Sequence, residues 1–125
     1  TAPPHSAPTV PVHGDFYEGQ LLADGGRVTG LLDVDTAGPG ERADDWATLI
    51  GHLVVAAHTY PAADRYAQAV LDHADRRHDG ADLRRRVAAV LLGLATGPFR
   101  TQHPHWADAT ATRLELARRW LAQAE

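Results

Sequence analysis

The sequence contains no cysteine, which excludes disulfide bonds, thiolate zinc sites and cysteine nucleophiles. It also contains no lysine, because all 12 basic residues are arginine. Without lysine, the chain cannot form a Schiff base or hold a nucleotide phosphate with an ammonium group. The bias towards arginine and alanine suggests a GC-rich bacterial coding sequence.

Long apolar runs are absent as well, and residues 1–4 lack the basic and apolar regions of a signal peptide. The formal net charge of -4 argues against nucleic acid or an anionic membrane as the main partner. We therefore expect a cytoplasmic protein without nucleic-acid or membrane partners. The 125 residues, of which 44% are hydrophobic, fit one domain with a modest core.

The proline-rich residues 1–11 predict an extended lead-in or a cut end, followed by one domain over residues 12–125. A short strand is expected at residues 9–12. Residues 20–23 and 27–34 predict the two strands of a hairpin, because Asp-Gly-Gly at 24–26 suits a tight turn. Gly-Pro-Gly at 38–40 predicts a break in regular structure.

Apolar spacing predicts four helices after the hairpin. The first runs over residues 42–58 and packs on the hairpin. The second begins at Pro61 and ends at Asp79-Gly80, and the third runs from about residue 82, with its arginines in water, to a stop at Gly97-Pro98. The fourth runs from about residue 106 to the chain end. The predicted fold class is α+β, mostly α, with a short hairpin followed by about four helices.

Each helix has one predicted apolar face. In chain order these faces comprise Trp46, Leu49, Ile50, Leu53 and Val54; Tyr66, Val70 and Ala74; Leu83, Val87, Val90, Leu91 and Leu94; and Leu114, Ala117, Leu121 and Ala124.

Three polar residues flank the hairpin. Asp15 follows a glycine in a loop, Gln20 opens the first apolar run, and Asp33 ends the second. A tight turn between the runs would bring the three side chains together. Carboxylate and amide oxygens suit a hard metal ion, so this region predicts a site for a metal and a hydroxyl group.

Several segments in this order resemble the C-terminal lobe of the aminoglycoside phosphotransferase and choline kinase superfamily, whose fold is kinase-like. The segments are His13-Gly14-Asp15, Gly19-Gln20, Leu32-Asp33 and residues 37–45. In that family a catalytic loop of the form HGDxxxxN precedes a hairpin, a magnesium-binding aspartate and a helix with an early aspartate. The resemblance covers residues 12–53 well.

The resemblance implies that Asp15 is the catalytic base, which accepts or orients the proton of the attacking hydroxyl. Gln20 and Asp33 would be the magnesium ligands. Gln20 falls where the family usually has asparagine, and a glutamine at this position also occurs in maltokinase-like members.

The resemblance also implies supporting roles for two further residues. Asp35 would be an auxiliary acid, and Asp45 would brace the catalytic loop. For His13 we expect, apart from the resemblance, a structural role in which its ring bonds nearby backbone.

The implied function is transfer of the terminal phosphate of ATP to a small-molecule hydroxyl, with Mg²⁺ as cofactor. The family's N-terminal lobe, which supplies a phosphate-binding lysine, has no counterpart in this sequence. We therefore expect a fragment or truncated form that is inactive alone. The alternative is a non-catalytic helical interaction module, and exposed apolar surface would then bind a missing N-terminal lobe or a second copy.

Simpler interpretations remain open for each residue. Asp15 could cap its own turn, and strand alternation would place Asp33 and Asp35 together on a solvent face. Asp45 could only complement the helix dipole. Two histidine pairs offer a zinc alternative, although their spacing favours a solvated surface. These pairs are His73 with His78, and His103 with His105.

Overall fold

The computed structural model describes residues 7–125, so residues 1–6 of the expected lead-in lie outside the described part. The fold is α+β and mostly α, with two small antiparallel sheets followed by helices. The strands are β1 (Thr9–Val12), β2 (Leu21–Asp24), β3 (Arg27–Leu31) and β4 (Gly38–Glu41). The helices are α1 (Arg42–Ala56), α2 (Ala63–Asp75), α3 (Gly80–Leu94), α4 (Gly97–Arg100) and α5 (Trp106–Ala122).

The β2–β3 hairpin forms where the sequence predicts it, around Gly25 and Gly26 with φ angles of 57° and 77°. Its second strand ends at Leu31, earlier than residue 34, because Asp33 adopts a left-handed backbone with φ 53°. A 3₁₀ turn over Val34–Thr36 follows. The expectation that strand alternation places Asp33 and Asp35 on one face is therefore wrong.

A second sheet forms at Gly-Pro-Gly, where the sequence predicts a break. Strand β4 pairs with β1, so that Val10 lies opposite Gly40 and Pro11 opposite Pro39. Proline is tolerated because each strand has one unpaired edge. A Cβ at Gly40 would lie 2.7 Å from Cγ2 of Val12, so the glycine allows the two strands to approach closely.

The sheet that packs on α1 is β1–β4, whereas we expected the β2–β3 hairpin there. In the hairpin, Leu22, Val28 and Leu31 are each about half exposed or more. The hairpin therefore presents apolar side chains to solvent.

Helix α1 is the centre of the core, since α2 and α3 pack on it and α5 packs on α3. The predicted apolar face of α1 is confirmed for Leu49, Ile50 and Leu53, which are buried. The largest fully buried side chains are Ile50, Leu83, Leu91 and Val87. None of the helices in residues 7–125 combines the length and apolar character that a membrane span requires.

The predicted face of α2 is wrong at Tyr66, which is 63% exposed, while Ala67 and Leu71 are buried. The helix starts at Ala63 and ends at Asp75, short of the predicted stop. Asp79 instead caps the start of α3, where its Oδ2 accepts a hydrogen bond from the Asp82 amide at 3.2 Å.

The predicted face of α5 is wrong at Leu114 and Leu121, which are 45% and 50% exposed. Side chains of α5 fix the rotation of this helix by bonding carbonyls at the end of α3. Thr110 Oγ1 donates to Ala95 O at 2.8 Å, and Arg113 Nη1 donates to Leu94 O at 2.6 Å. The buried residue of α5 is Ala117, and Leu116 and Trp120 are partly buried against the same core cluster.

Gly97-Pro98 begins the short helix α4 and is not simply a stop. Proline suits a first helical turn because its missing N–H has no partner there.

We predicted that the arginines of α3 face water. Two of them instead form ion pairs with carboxylates. Arg86 forms ion pairs with Glu41, with Asp44 at 2.7 Å and with Asp82 at 2.7 Å. Arg84 pairs with Asp75 at 2.8 Å. Arg86 thereby ties the start of α1 to α3.

Candidate active site

Residues 13–20 form a loop between β1 and β2, and a tight backbone turn shapes its start. Gly14 has a φ of 93°, and a Cβ there would lie 2.7 Å from the carbonyl oxygen of Thr36. The Thr36 hydroxyl donates to the carbonyl oxygen of His13 at 2.7 Å. The loop is therefore held against the 3₁₀ turn that follows Asp33.

Asp45, in the first turn of α1, accepts two backbone hydrogen bonds from the loop. The His13 amide donates to Oδ2 at 2.8 Å, and the Gly14 amide donates to Oδ1 at 3.1 Å. One carboxylate thus fixes two successive peptide groups directly before Asp15. This is the contact that a bracing aspartate would make.

His13 is 6% exposed, and both of its ring nitrogens lie near backbone groups. Because the Asp15 amide can only donate, Nδ1 accepts from it at 3.1 Å. The other nitrogen, Nε2, then donates to Leu32 O at 2.8 Å. The imidazole links the Asp15 backbone to the residue before Asp33, so neither nitrogen is available as a general base.

Gln20 and Asp33 lie in direct contact. Gln20 is 6% exposed, and its Nε2 donates to Oδ2 of Asp33 at 3.3 Å. The Leu32 amide also donates to Gln20 O at 2.7 Å. The side chain of Asp33 is exposed. The backbone of Asp33 is left-handed, a conformation that only glycine, asparagine and aspartate adopt readily.

Asp15 is half buried, and no group in residues 7–125 hydrogen-bonds to its carboxylate. Its link to the Gln20–Asp33 pair runs through the His13 ring. Asp35 is exposed on the 3₁₀ turn. The structure therefore joins Gln20 to Asp33 directly and connects Asp15 to them through His13, and it leaves Asp35 apart.

A family model described as the phosphotransferase enzyme family matches residues 1–89. The chain belongs to the phosphotransferase enzyme family. Comparison with curated proteins and with solved structures gave no match. The matched segment contains the whole loop, both sheets, α1 and α2.

Phosphotransferases of this family generally use ATP and Mg²⁺. Gln20 and Asp33 carry oxygen atoms of the kind that this ion takes as ligands. An amide oxygen and a carboxylate are hard donors, and Mg²⁺ usually takes few protein ligands beside water and substrate phosphates. Among residues 7–125, no group of three or more His, Asp or Glu side chains could hold a metal by itself. Water and phosphate oxygens would therefore have to complete the coordination.

A contact that the sequence did not reveal joins the loop over residues 13–20 to α1. The ring of Tyr17 stacks on the ring of His52, with centroids 4.3 Å apart and planes 14° apart. Gly19 lies on the loop close to the same tyrosine, since a Cβ there would be 2.6 Å from Tyr17 Cε2. The tyrosine ring thus lies close to both the Gly19 backbone and the imidazole.

One signal in the sequence could have indicated His52. It lies seven residues after Asp45, so the two residues share a face of α1. Burial lowers the pKa of His52, and this outweighs the opposite effect of the negative charges on Glu18 and Asp15. Arg113 lowers the pKa further.

Proposed function

We propose that this chain supplies the catalytic base and the magnesium ligands for transfer of the terminal phosphate of ATP to a small-molecule hydroxyl. Family membership supports phosphotransferase chemistry, and the geometry of the loop supports the residue roles. The observation that carries the proposal is the connection from Asp45 through the loop backbone to Asp15, beside the contact of Gln20 with Asp33.

Asp15 is the proposed base. Its carboxylate takes the hydroxyl proton as the hydroxyl oxygen bonds to the terminal phosphorus, and the bond from that phosphorus to the bridging oxygen breaks to release ADP. Asp45 and His13 hold the loop so that this carboxylate stays in place. Fixing the backbone in advance reduces the reorganisation required when the substrates bind.

Gln20 and Asp33 are the proposed magnesium ligands. A bound Mg²⁺ supplies positive charge that neutralises the phosphate oxygens. Gln20 would have to turn its amide so that Oε1 replaces Nε2 towards the ion, which exchanges a donor for an acceptor without moving the backbone. Glutamine in place of asparagine suits the maltokinase-like variant of this loop.

The groups that hold the nucleotide phosphates are proposed to come from outside these 125 residues, because the sequence contains no lysine. A separate N-terminal lobe is the proposed source, and the cytoplasm is the proposed location. The chain alone would then bind the metal and the nucleotide weakly and would turn over little.

The test is a titration of the ¹⁵N-labelled chain with Mg²⁺, with and without ATP, observed by NMR. The side-chain amide signals of Gln20 should shift with the backbone amide of Asp33, and Asp33→Asn should abolish both shifts. Asp15→Asn should leave the Mg²⁺ response intact, because Asp15 is not a ligand. The matched control is Asp64→Asn, in the first turn of α2.

Two results would contradict the metal site. One is the absence of any shift at Gln20 at saturating Mg²⁺ and ATP. The other is an Mg²⁺ response that Asp33→Asn leaves unchanged.

One observation favours a second function, that of an interaction module. Five apolar side chains in and after the β2–β3 hairpin are 44–66% exposed, namely Leu22, Val28, Leu31, Leu32 and Val34. A partner lobe or a second copy would bury them. Sedimentation velocity of the chain and of Val28→Glu tests self-association, and a strictly monomeric wild type at high concentration would contradict self-association.

A further inference from the structure

A groove lies between the end of α1 and helices α4 and α5. Its volume is about 630 Å³. Val55 on its wall lies about 15 Å along α1 from Asp45 and three residues after His52, on which Tyr17 stacks. The polar side chains on its walls include His58, His103, Asp108 and Arg113.

Arg113 is half buried on one wall of this groove. Its Nη1 donates to Leu94 O at 2.6 Å, which anchors the side chain. A guanidinium has five N–H donors, and none of those on Nε and Nη2 has an acceptor among residues 7–125. Arg113 is therefore held in position with donors still available.

The other partly buried arginines differ from Arg113 because they form ion pairs with carboxylates. Arg84 pairs with one carboxylate, and Arg86 pairs with three. No carboxylate in residues 7–125 forms an ion pair with Arg113, and burial alone lowers the pKa of its guanidinium. A cation that is partly removed from water without an anion is unfavourable, so a bound anion would stabilise it.

We propose that this groove binds the oxyanion of a small hydroxylated molecule, a carboxylate or phosphate, through the guanidinium of Arg113. The hydroxyl groups of Thr101 and Thr112 line the same groove and can bond the rest of such a ligand. Asp108 also lines it and opposes the binding of an anion. The proposal concerns binding and does not require phosphoryl transfer.

The probes are two anions, each with a neutral partner of similar structure. Gluconate is compared with glucose, and glycerol 3-phosphate with glycerol, in the absence of Mg²⁺ and nucleotide. Binding is followed by NMR through the Nε–H signal of Arg113 and the backbone amides of Thr112 and His58. We expect saturable shifts with at least one anion and none with its neutral partner.

Two substitutions should change the affinity in opposite directions. Arg113→Gln should weaken binding about tenfold or more, because a hydrogen bond to a charged group is lost. Asp108→Asn should strengthen it about two- to threefold, because a repulsive charge is removed. The control is Arg85→Gln, an exposed arginine of α3, which should leave the affinity unchanged.

Thr101→Glu provides a test that does not disturb the bond between Arg113 and Leu94, because Thr101 is exposed. It should weaken anion binding through added negative charge. A response to gluconate alone identifies a carboxylate site, a response to glycerol 3-phosphate alone identifies a phosphate site, and either supports the proposal. Equal binding of anions and neutral partners, no saturable shift, or affinity unaffected by Arg113→Gln and Thr101→Glu would overturn it.

The result is separable from the Mg²⁺ titration, since the two experiments use different probes and observe different residues. A failure at Gln20 and Asp33 with anion binding at Arg113 would count against the metal site alone. An Mg²⁺ response at Gln20 and Asp33 without anion binding at Arg113 would count against the groove alone.

Discussion

The Tyr17 ring lies almost parallel to the His52 ring, at a centroid distance of 4.3 Å. This stack anchors the middle of the loop over residues 13–20 to α1, between Asp15 and Gln20. Tyr17→Ala should therefore lower the free energy of unfolding by about 1–3 kcal/mol and reduce the Mg²⁺ response at Gln20. Tyr17→Phe keeps the ring and should leave the free energy of unfolding and the Mg²⁺ response near their wild-type values, as measured by urea denaturation and NMR titration. Equal effects of the two substitutions would contradict a role for the stack.

His52 should make the stability depend on pH. Burial lowers the pKa of His52 in the folded chain and outweighs the charges of Glu18 and Asp15, which raise it. On acidification, His52 is therefore protonated in the unfolded chain first, near pH 6.5. This contribution is complete above about pH 6.5 and is lost as the pH falls through the lower folded pKa.

His52→Phe should flatten the stability profile below about pH 6.5 while keeping an aromatic ring against Tyr17. His73, whose pKa is lowered by desolvation and then by Arg77 and Arg76, contributes in the same range. The difference between wild type and variant, measured by denaturation from pH 5 to pH 8, therefore isolates His52. Parallel profiles would show that His52 does not contribute.

Gly19 should not tolerate a side chain while Tyr17 is present. A Cβ at Gly19 would lie 2.6 Å from Tyr17 Cε2, so Gly19→Ala should displace the ring and weaken the Mg²⁺ response. The matched control is Gly38→Ala, where a Cβ meets nothing within 4 Å. Combining Gly19→Ala with Tyr17→Ala should add little to Tyr17→Ala alone, and full additivity in urea denaturation would exclude this clash.

Asp45→Asn should destabilise the loop over residues 13–20. Its carboxylate accepts from the amides of His13 and Gly14, and a neutral amide side chain offers only one oxygen and no charge. We expect a loss of about 1–3 kcal/mol and faster hydrogen exchange at those two amides. Asp64→Asn, also in a first helical turn, is the control, and equal losses would indicate only a helix-dipole effect.

Arg86→Met should separate the start of α1 from α3. Three carboxylates surround this guanidinium, so its removal leaves them to repel one another. The side chain is 24% exposed, and we expect a loss of about 1–2 kcal/mol in low salt that shrinks as salt is added. Arg85→Met on the same helix is the control, and a salt-independent difference would contradict the electrostatic origin.

The sequence predicted the features that depend on neighbouring residues. Apolar spacing predicted α1, where Leu49, Ile50 and Leu53 are buried, and the Asp-Gly-Gly turn predicted the hairpin. Tertiary contacts decided the rest. The pairing of Gly-Pro-Gly with β1 depends on residues about 30 positions apart, which no local pattern contains.

The same distinction applies to the site. Its candidate residues could be proposed because a motif keeps them in fixed order, and the contact of Gln20 with Asp33 follows from the hairpin. Asp33 itself was misplaced on a strand, because a left-handed backbone at an aspartate has no reliable sequence signal. Tyr17 and His52 were missed because they meet across the fold.

The β1–β4 ladder closes the chain around the site. Residues 13–37, which include Asp15, Gln20 and Asp33, form one loop whose two ends are fixed by this pairing. Closing a loop of this length costs chain entropy that is recovered only when both strands and Asp45 are in place. Asp15, Gln20 and Asp33 should therefore open and close as a single cooperative unit, with similar hydrogen-exchange free energies throughout the loop.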